Sequence, residues 1–120
     1  MSVVCVSGYF DPIHVGHLEY FRKARSLGDR LVVIVNNDKQ AFQKKGKSFM
    51  SENERLEVVK AIKWVDDAVL SIDKDRTVCQ TLRLVKPDMF CNGGDQNNNT
   101  IPERPVCEEL NIQLVDGLGD

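Results

Sequence analysis

Gly8-Tyr9-Phe10-Asp11-Pro12-Ile13-His14-Val15-Gly16-His17 concentrates groups suited to holding an anion. His14 and His17 are the only two histidines of the chain. They stand three positions apart at the start of a predicted helix, so both rings lie on one face of its first turn. Gly16 carries no Cβ and lets an anion come close to the backbone. The helix N-terminus adds free N–H groups and positive potential. Together these predict a polyphosphate site in which imidazoles donate to phosphate oxygens. The competing account, two surface histidines falling together, must bring both imidazoles to one edge by accident.

Four further places could meet a phosphorylated ligand. Lys44-Lys45-Gly46-Lys47 reads as a basic loop able to close over phosphates, or as a solvated charge run. Arg55, just inside a helix, could fork onto a phosphate. Equally, it could be an exposed arginine paired with Glu52 or another helix carboxylate. Asp38 follows a strand, where an ordinary turn aspartate is the alternative. The small residues of Gly93-Gly94-Asp95 would let a nucleoside lie against backbone; the neighbouring asparagines favour a plain turn. Trp64 closes a helix and reads as core packing.

These residues need a frame. Val3 to Val6 is a β-branched run that stops at Ser7-Gly8. Val15 to Leu27 is an amphipathic helix with Leu18, Phe21 and Ala24 on one face, capped by Gly28. Leu31 to Val35 reads as a buried parallel strand. Asn36 to Met50 reads as a loop. Ser51 and Glu54 make a capping box for a helix running to about Trp64. A strand over Ala68 to Ile72 follows, then a helix over Arg76 to Val85 that Pro87 ends. Met89 to Cys91 is a strand, Glu103 to Leu110 a helix, and Ile112 to Val115 a last strand. The alternation predicts one α/β domain over residues 1–120. Its architecture is Rossmann-like and doubly wound: a parallel sheet of about five strands with helices on both faces. Ligands of such sheets bind at the carboxyl ends of the strands. Ser7 to His17, Asn36 to Met50 and Asn92 to Asn99 all leave that edge.

Composition narrows the classes. The 120 residues carry 16 Lys plus Arg against 18 Asp plus Glu, a net charge of -2, which argues against a nucleic-acid groove. The hydrophobic fraction of 42% suffices for one core. Met1 to Phe10 has neither the basic start nor the apolar run of a signal peptide. Leu31 to Val35, the longest apolar stretch, is far too short for a membrane span. Cys5, Cys79, Cys91 and Cys107 form no Cys-x-x-Cys pair, which argues against zinc and a disulfide framework. They suit the reducing cytoplasm.

Gly-x-Phe-Asp-x-x-His-x-Gly-His resembles the signature of the HxGH nucleotidyltransferases, the cytidylyltransferase-like superfamily. The likeness continues through Lys23-Ala24, Leu27-Gly28-Asp29, Asn37-Asp38, the Lys-Gly loop, Glu54-Arg55, Val65-Asp66, Lys86-Pro87-Asp88 and Gly93-Gly94-Asp95. It implies an enzyme that couples an NTP, ATP or CTP, to a phosphorylated small molecule and releases pyrophosphate. Mg2+ would be carried mainly by the nucleotide, because Asp11 and Asp95 lack the spacing of an all-protein cage. The resemblance makes His14, His17 and Lys45 catalytic. It places Gly8, Tyr9, Phe10, Asp11, Gly16, Gly93, Gly94 and Asp95 around the nucleotide with the two histidines, and Asp38, Lys44 and Arg55 on the second substrate. Two departures stand out. Tyr9 replaces the small hydroxyl residue or cysteine usual there. Relatives also carry a Ser/Thr pair opening a helix after the last strand, so the expectation is a C-terminal helix segment missing after residue 120. Lys45-Gly46, Asn92-Gly93-Gly94-Asp95 and Asp116-Gly117 look more like the adenylyltransferase that makes ADP-activated heptose from a sugar 1-phosphate. Length and Gly8 to His17 fit glycerol-3-phosphate cytidylyltransferase equally. A catalytically weak nucleotide-binding module and an unrelated flavodoxin-like domain are the other classes. Relatives are often homodimers, with Cys107 or the Trp64 region as contact; neither nucleic acid nor membrane is an expected partner.

Overall fold

The computed structural model of the chain describes residues 2–10, 13–40, 50–75, 77–91 and 102–115. Five parallel strands, β1 (Val3–Gly8), β2 (Arg30–Val35), β3 (Asp67–Leu70), β4 (Met89–Cys91) and β5 (Gln113–Val115), form one sheet in the order β3-β2-β1-β4-β5. The helices are α1 (Val15–Arg25), α2 (Glu52–Lys60), α3 (Cys79–Val85) and α4 (Arg104–Leu110). The pleat explains why both faces are covered. Val4 and Val6 of β1 join Phe21 and Ala24 of α1 and Val59 of α2 in one buried cluster. Cys5, pointing the other way, joins Leu82 of α3 and Val106 of α4 in a second. The expected doubly wound α/β architecture is the observed one.

Several boundaries move, each for a local reason. Helix α1 ends at Arg25 rather than Leu27, and the Ser26 hydroxyl donates to the Lys23 carbonyl at 2.6 Å. Gly28 is therefore not its cap. A Cβ there would lie 2.7 Å from the Val4 side chain and 3.1 Å from the Ser2 carbonyl, so this glycine permits close packing on β1. Residues 38–40 are helical, not loop. Asn37 Oδ1 accepts from the Gln40 N–H and Gln40 Oε1 from the Asn37 N–H, both at 2.9 Å, which is a capping box with amide side chains. Helix α3 starts at Cys79 rather than Arg76, because the Asp73 carboxylate accepts the Gln80 and Thr81 N–H groups at 2.8 and 2.9 Å. Helix α2 ends at Lys60, and Trp64 packs on the first cluster. At the amino edge of the sheet, Asp29, Asp66 and Asp88 accept the N–H groups of Ser2, Leu31 and Val3. Their role there is to tie strand starts.

All four cysteines are free thiols. Cys107 is fully buried in the second cluster, which rules it out as a dimer contact. Burial raises the Cys91 thiol to about 12 and the Cys107 thiol to about 11, so both stay protonated at neutral pH. No helix among the described residues is long and apolar enough to cross a membrane.

Candidate active site

Strand β1 lies between β2 and β4, and the chain leaves it towards β2 while returning to β4 from β3. The order reverses at this point, which opens a crevice over the carboxyl ends of β1 and β4. Helix α1 begins at that crevice. Tyr20, inside α1, donates its hydroxyl to the Cys91 carbonyl at 2.7 Å and so ties the helix to the end of β4.

The two histidines are the cap of α1. His14 is its N-cap residue, in extended backbone conformation. Its Nδ1 accepts the Gly16 N–H at 3.0 Å. In return, His17 Nδ1 accepts the His14 N–H at 3.1 Å. The rings stack with centroids 4.0 Å apart and planes 27° from parallel. This differs from the expected arrangement in one respect. The N–H groups of His14 and Gly16 are consumed by the imidazoles rather than left free for an anion. The gain is tautomeric: an Nδ1 that accepts has no proton, so each neutral ring carries its proton on Nε2 and donates there. Burial, with the neighbouring His14 adding, pulls the His17 imidazole down to about 4. His17 is thus a neutral donor at physiological pH.

Gly16 has a reason in this geometry. A Cβ on it would sit 2.8 Å from Cε1 and 3.0 Å from Nδ1 of His14, so only glycine lets that ring fold over the first turn. Gly8 serves Phe10 in the same way. Phe10 is buried and holds a left-handed φ of 53°. That conformation costs a bulky residue roughly 1–3 kcal/mol and persists only under surrounding constraint. The constraint is visible: the ring tip lies over Gly8, and its body meets His17 and Phe21 edge-to-face. Phe10, expected around the nucleotide, lies beneath the second imidazole.

Arg55 departs furthest from expectation. It is neither exposed nor paired with Glu52; its side chain is completely buried. Nη1 donates to the carbonyls of Tyr9 and Asn36 at 2.7 Å each, Nε to that of Met50 at 3.1 Å, and Nη2 to Asp38 Oδ1 at 2.8 Å. One guanidinium thus joins the segments leaving β1 and β2 to the start of α2. Asp38, half-exposed, presents the rest of its carboxylate at the same edge, and its own N–H is held by Glu52 at 2.9 Å. Gln40 extends the scaffold by donating to the Asp75 and Thr77 carbonyls at 2.6 and 2.8 Å.

His14, Gly16, His17, Gly8, Tyr9 and Phe10 therefore gather at one end of β1, with Asp38 and Arg55 beside them. Asp11, Lys44, Lys45, Gly93, Gly94 and Asp95 lie outside the described residues. Among the described residues no three His, Cys, Asp or Glu side chains group as a metal set. The reading from sequence missed Tyr20, Gln40 and the clamp of Arg55. Two signals were available: the Asn-x-x-Gln spacing of a cap, and the i, i+4 relation of Arg55 to the core residue Val59.

A family model described as cytidylyltransferase-like matches residues 5–115. The chain is 42% identical over 113 residues to the FAD synthase of Thermococcus sibiricus, covering 91% of this chain and 74% of that one. It is 37% identical over 123 residues to the bifunctional protein HldE of Syntrophotalea carbinolica, covering 97% of this chain but 25% of that protein. Against that relative the chain spans only a quarter of its length. Among solved structures, the lipopolysaccharide core biosynthesis protein of Thermoplasma volcanium has a TM-score of 0.83 at 32% identity, covering 97% of this chain and 95% of that one. A protein of unknown function from Archaeoglobus fulgidus, 20% identical with a TM-score of 0.71, shares the fold alone.

Proposed function

The chain belongs to the cytidylyltransferase-like family, and from that premise we propose that it transfers an adenylyl group from magnesium-bound ATP to a phosphorylated small molecule. The observation that carries this reading is the pair of imidazoles whose Nδ1 atoms are both occupied by backbone N–H groups. Each ring is left one donor, Nε2–H, held rigidly at a helix start. Donors fixed in advance are what a growing charge on phosphate oxygens requires.

The reaction asks for little covalent help. A phosphate oxygen of the acceptor attacks the α-phosphorus of ATP. The new P–O bond forms as the bond to the bridging α–β oxygen breaks, and pyrophosphate departs with that electron pair. A phosphomonoester, with a second pKa of about 6, is already ionised at neutral pH, so no base is needed to unmask the nucleophile. His14 and His17 hold the triphosphate and stabilise charge at the α-phosphorus. Lys45 and Lys44 neutralise phosphates, and Asp38 faces the acceptor. Gly8 and Tyr9 border the triphosphate with Asp11, while Gly93, Gly94 and Asp95 lie along the nucleoside. Arg55 acts from behind, through Asp38 and the carbonyls it holds.

Adenylyl transfer is favoured because FAD is an AMP unit joined to flavin mononucleotide, and the FAD synthase of Thermococcus sibiricus is 42% identical to the chain. A sugar 1-phosphate, as for ADP-heptose, is the first acceptor proposed. Flavin mononucleotide is the second, favoured by the 74% of the FAD synthase that the chain spans. We take the protein to be a cytoplasmic homodimer, which sedimentation of the purified protein tests. The decisive assay pairs ATP or CTP, with magnesium, with heptose 1-phosphate, flavin mononucleotide or glycerol 3-phosphate, and follows pyrophosphate. Release with ATP and either of the first two acceptors is expected. Release only with CTP and glycerol 3-phosphate would make the protein a cytidylyltransferase. Nucleotide binding without release from any pair would leave a binding module.

A further inference from the structure

We propose that Phe10, wedged against Gly8, is a positioning residue that sets the ring of His17 for the chemistry at the α-phosphorus. The proposal rests on the nucleotidyl-transfer reading for its consequence, but on geometry for its content. Phe10 reaches its buried place only by adopting φ 53°, a conformation no β-branched or aromatic residue takes without cause. Its ring occupies the space a side chain on Gly8 would fill, since a Cβ there would lie 2.7, 2.9 and 3.2 Å from Cζ, Cε1 and Cε2. From that seat it meets the His17 ring at a centroid distance of 5.1 Å and 83° between planes. Phe21, at 5.2 Å and 63°, backs it from the core.

The consequence is a ring held from several directions. His14 stacks against His17 at 4.0 Å, the His14 N–H occupies Nδ1 at 3.1 Å, and Phe10 meets the ring edge-to-face. Rotation about χ2 would break the Nδ1 contact and give up the edge-to-face geometry with Phe10. Nε2–H is thereby left as the one polar group of the ring for a ligand. His14 shares the stacking, but its tautomer is set locally, by the Gly16 N–H on its Nδ1. The first histidine is set by the helix start and the second by Phe10.

The test uses two variants and two readouts. Phe10→Leu keeps apolar volume but removes the flat wall. Gly8→Ala leaves Phe10 in place chemically and displaces its ring, on a backbone that alanine tolerates because Gly8 has no positive φ. In the free protein, the ring 15N resonances of His17 should shift from a single Nε2–H tautomer towards a mixture in both variants. The His14 nitrogens should keep their wild-type pattern. In the transferase assay, kcat should fall by roughly tenfold to a hundredfold in both variants, because small misplacements of a donor are costly, while in Phe10→Leu the KM for ATP changes by less than about threefold. Should Phe10→Leu fail to fold, Gly8→Ala decides alone. Wild-type His17 resonances in a folded Gly8→Ala protein overturn the proposal, as does lost activity with an unmoved His17 tautomer. If no acceptor supports turnover yet the His17 resonances move, the positioning role stands and the transferase reading falls.

Discussion

Arg55 Nη2 donates to Asp38 Oδ1 at 2.8 Å, from a guanidinium with no exposed surface to a carboxylate at the ligand edge of the sheet. A buried cation of this kind survives only when its donors are matched, and here three backbone carbonyls complete the set. The guanidinium binds the segment after β1 to the segment after β2, so the two sides of the crevice share one strut.

Arg55→Met should therefore destabilise the protein strongly. Three carbonyls lose their donor, and each buried polar group left unsatisfied costs about 1–3 kcal/mol, while half-exposed Asp38 is rehydrated. Arg55→Lys should recover only part of this, because an ammonium cannot span the planar fork of contacts. Urea unfolding at neutral pH reads both. A loss below about 1 kcal/mol for Arg55→Met would show that the clamp is incidental.

Gly16→Ala should separate stability from activity. Gly16 lies within α1 without a positive φ, so alanine suits the helix and is worth up to about 1 kcal/mol in its favour. The same methyl would come within 2.8 Å of the His14 ring, which must move. The expected protein melts no lower than wild type, yet its turnover falls about tenfold or more as the His14 donor is lost. Equal turnover would separate the ring position from catalysis.

His14→Ala and His17→Ala should each lower kcat by at least about a hundredfold with the fold intact, as expected for a donor to developing charge. Circular dichroism and pyrophosphate release on the same preparations check this. Near-normal turnover in both variants would remove the histidines from the mechanism.

Much of this frame is legible in residues. Val3 to Val6 and Leu31 to Val35 are β-branched runs with one structural solution, and Ser51 caps α2 as its type predicts, accepting the Glu54 N–H at 3.3 Å. The spacing of His14, Gly16 and His17 shows that they share a turn. It does not show that the rings cap the turn themselves, because capping depends on side-chain χ angles, which for His17 are set against Phe10, a neighbour that spacing does not reveal. Phe10 hides its place for a similar reason: a left-handed φ on an aromatic residue is a tertiary decision. Arg55 misleads because a charge on a helix is normally solvated, and only the carbonyls gathered around it, two from distant segments and one from the start of its own helix, reverse that rule. Gly28 shows the limit of glycine as punctuation. It closes no helix with a left-handed turn, and instead admits Val4.

Glu103 caps nothing in its own helix, but its Oε2 accepts the Val78 N–H at 3.0 Å in a buried setting. Burial raises its carboxyl above the usual range, and the backbone contact opposes this only in part. A folded value above the unfolded one means that the native state holds its proton more tightly. Stability from this group is complete below the unfolded pKa and is lost as pH rises through the folded one. Glu103→Gln keeps an acceptor for Val78 and discards the charge. The variant should be at least as stable as wild type at pH 7, with the advantage shrinking as pH falls towards 4. Paired denaturation curves at pH 4, 5, 6 and 7 measure it, and an advantage that grows on acidification would contradict the assignment.

His17 has the opposite sign. Its value is lowered from 6.5 to about 4, so between those limits the unfolded chain binds a proton that the folded chain refuses. The unfolded state gains as pH falls through that window, and the stability this ring contributes is complete above 6.5 and lost by about 4. His17→Asn retains an acceptor near the Nδ1 position and removes the titration. Subtracting its unfolding free energies from those of wild type isolates the imidazole from Glu103, which titrates with the reverse slope in both proteins. The difference should be flat from pH 7 to 8 and decline steadily from pH 6.5 to 4. A difference that is level across the acid range would mean that His17 titrates as a solvated imidazole, and its role as a neutral donor fixed by Phe10 and His14 would have to be abandoned.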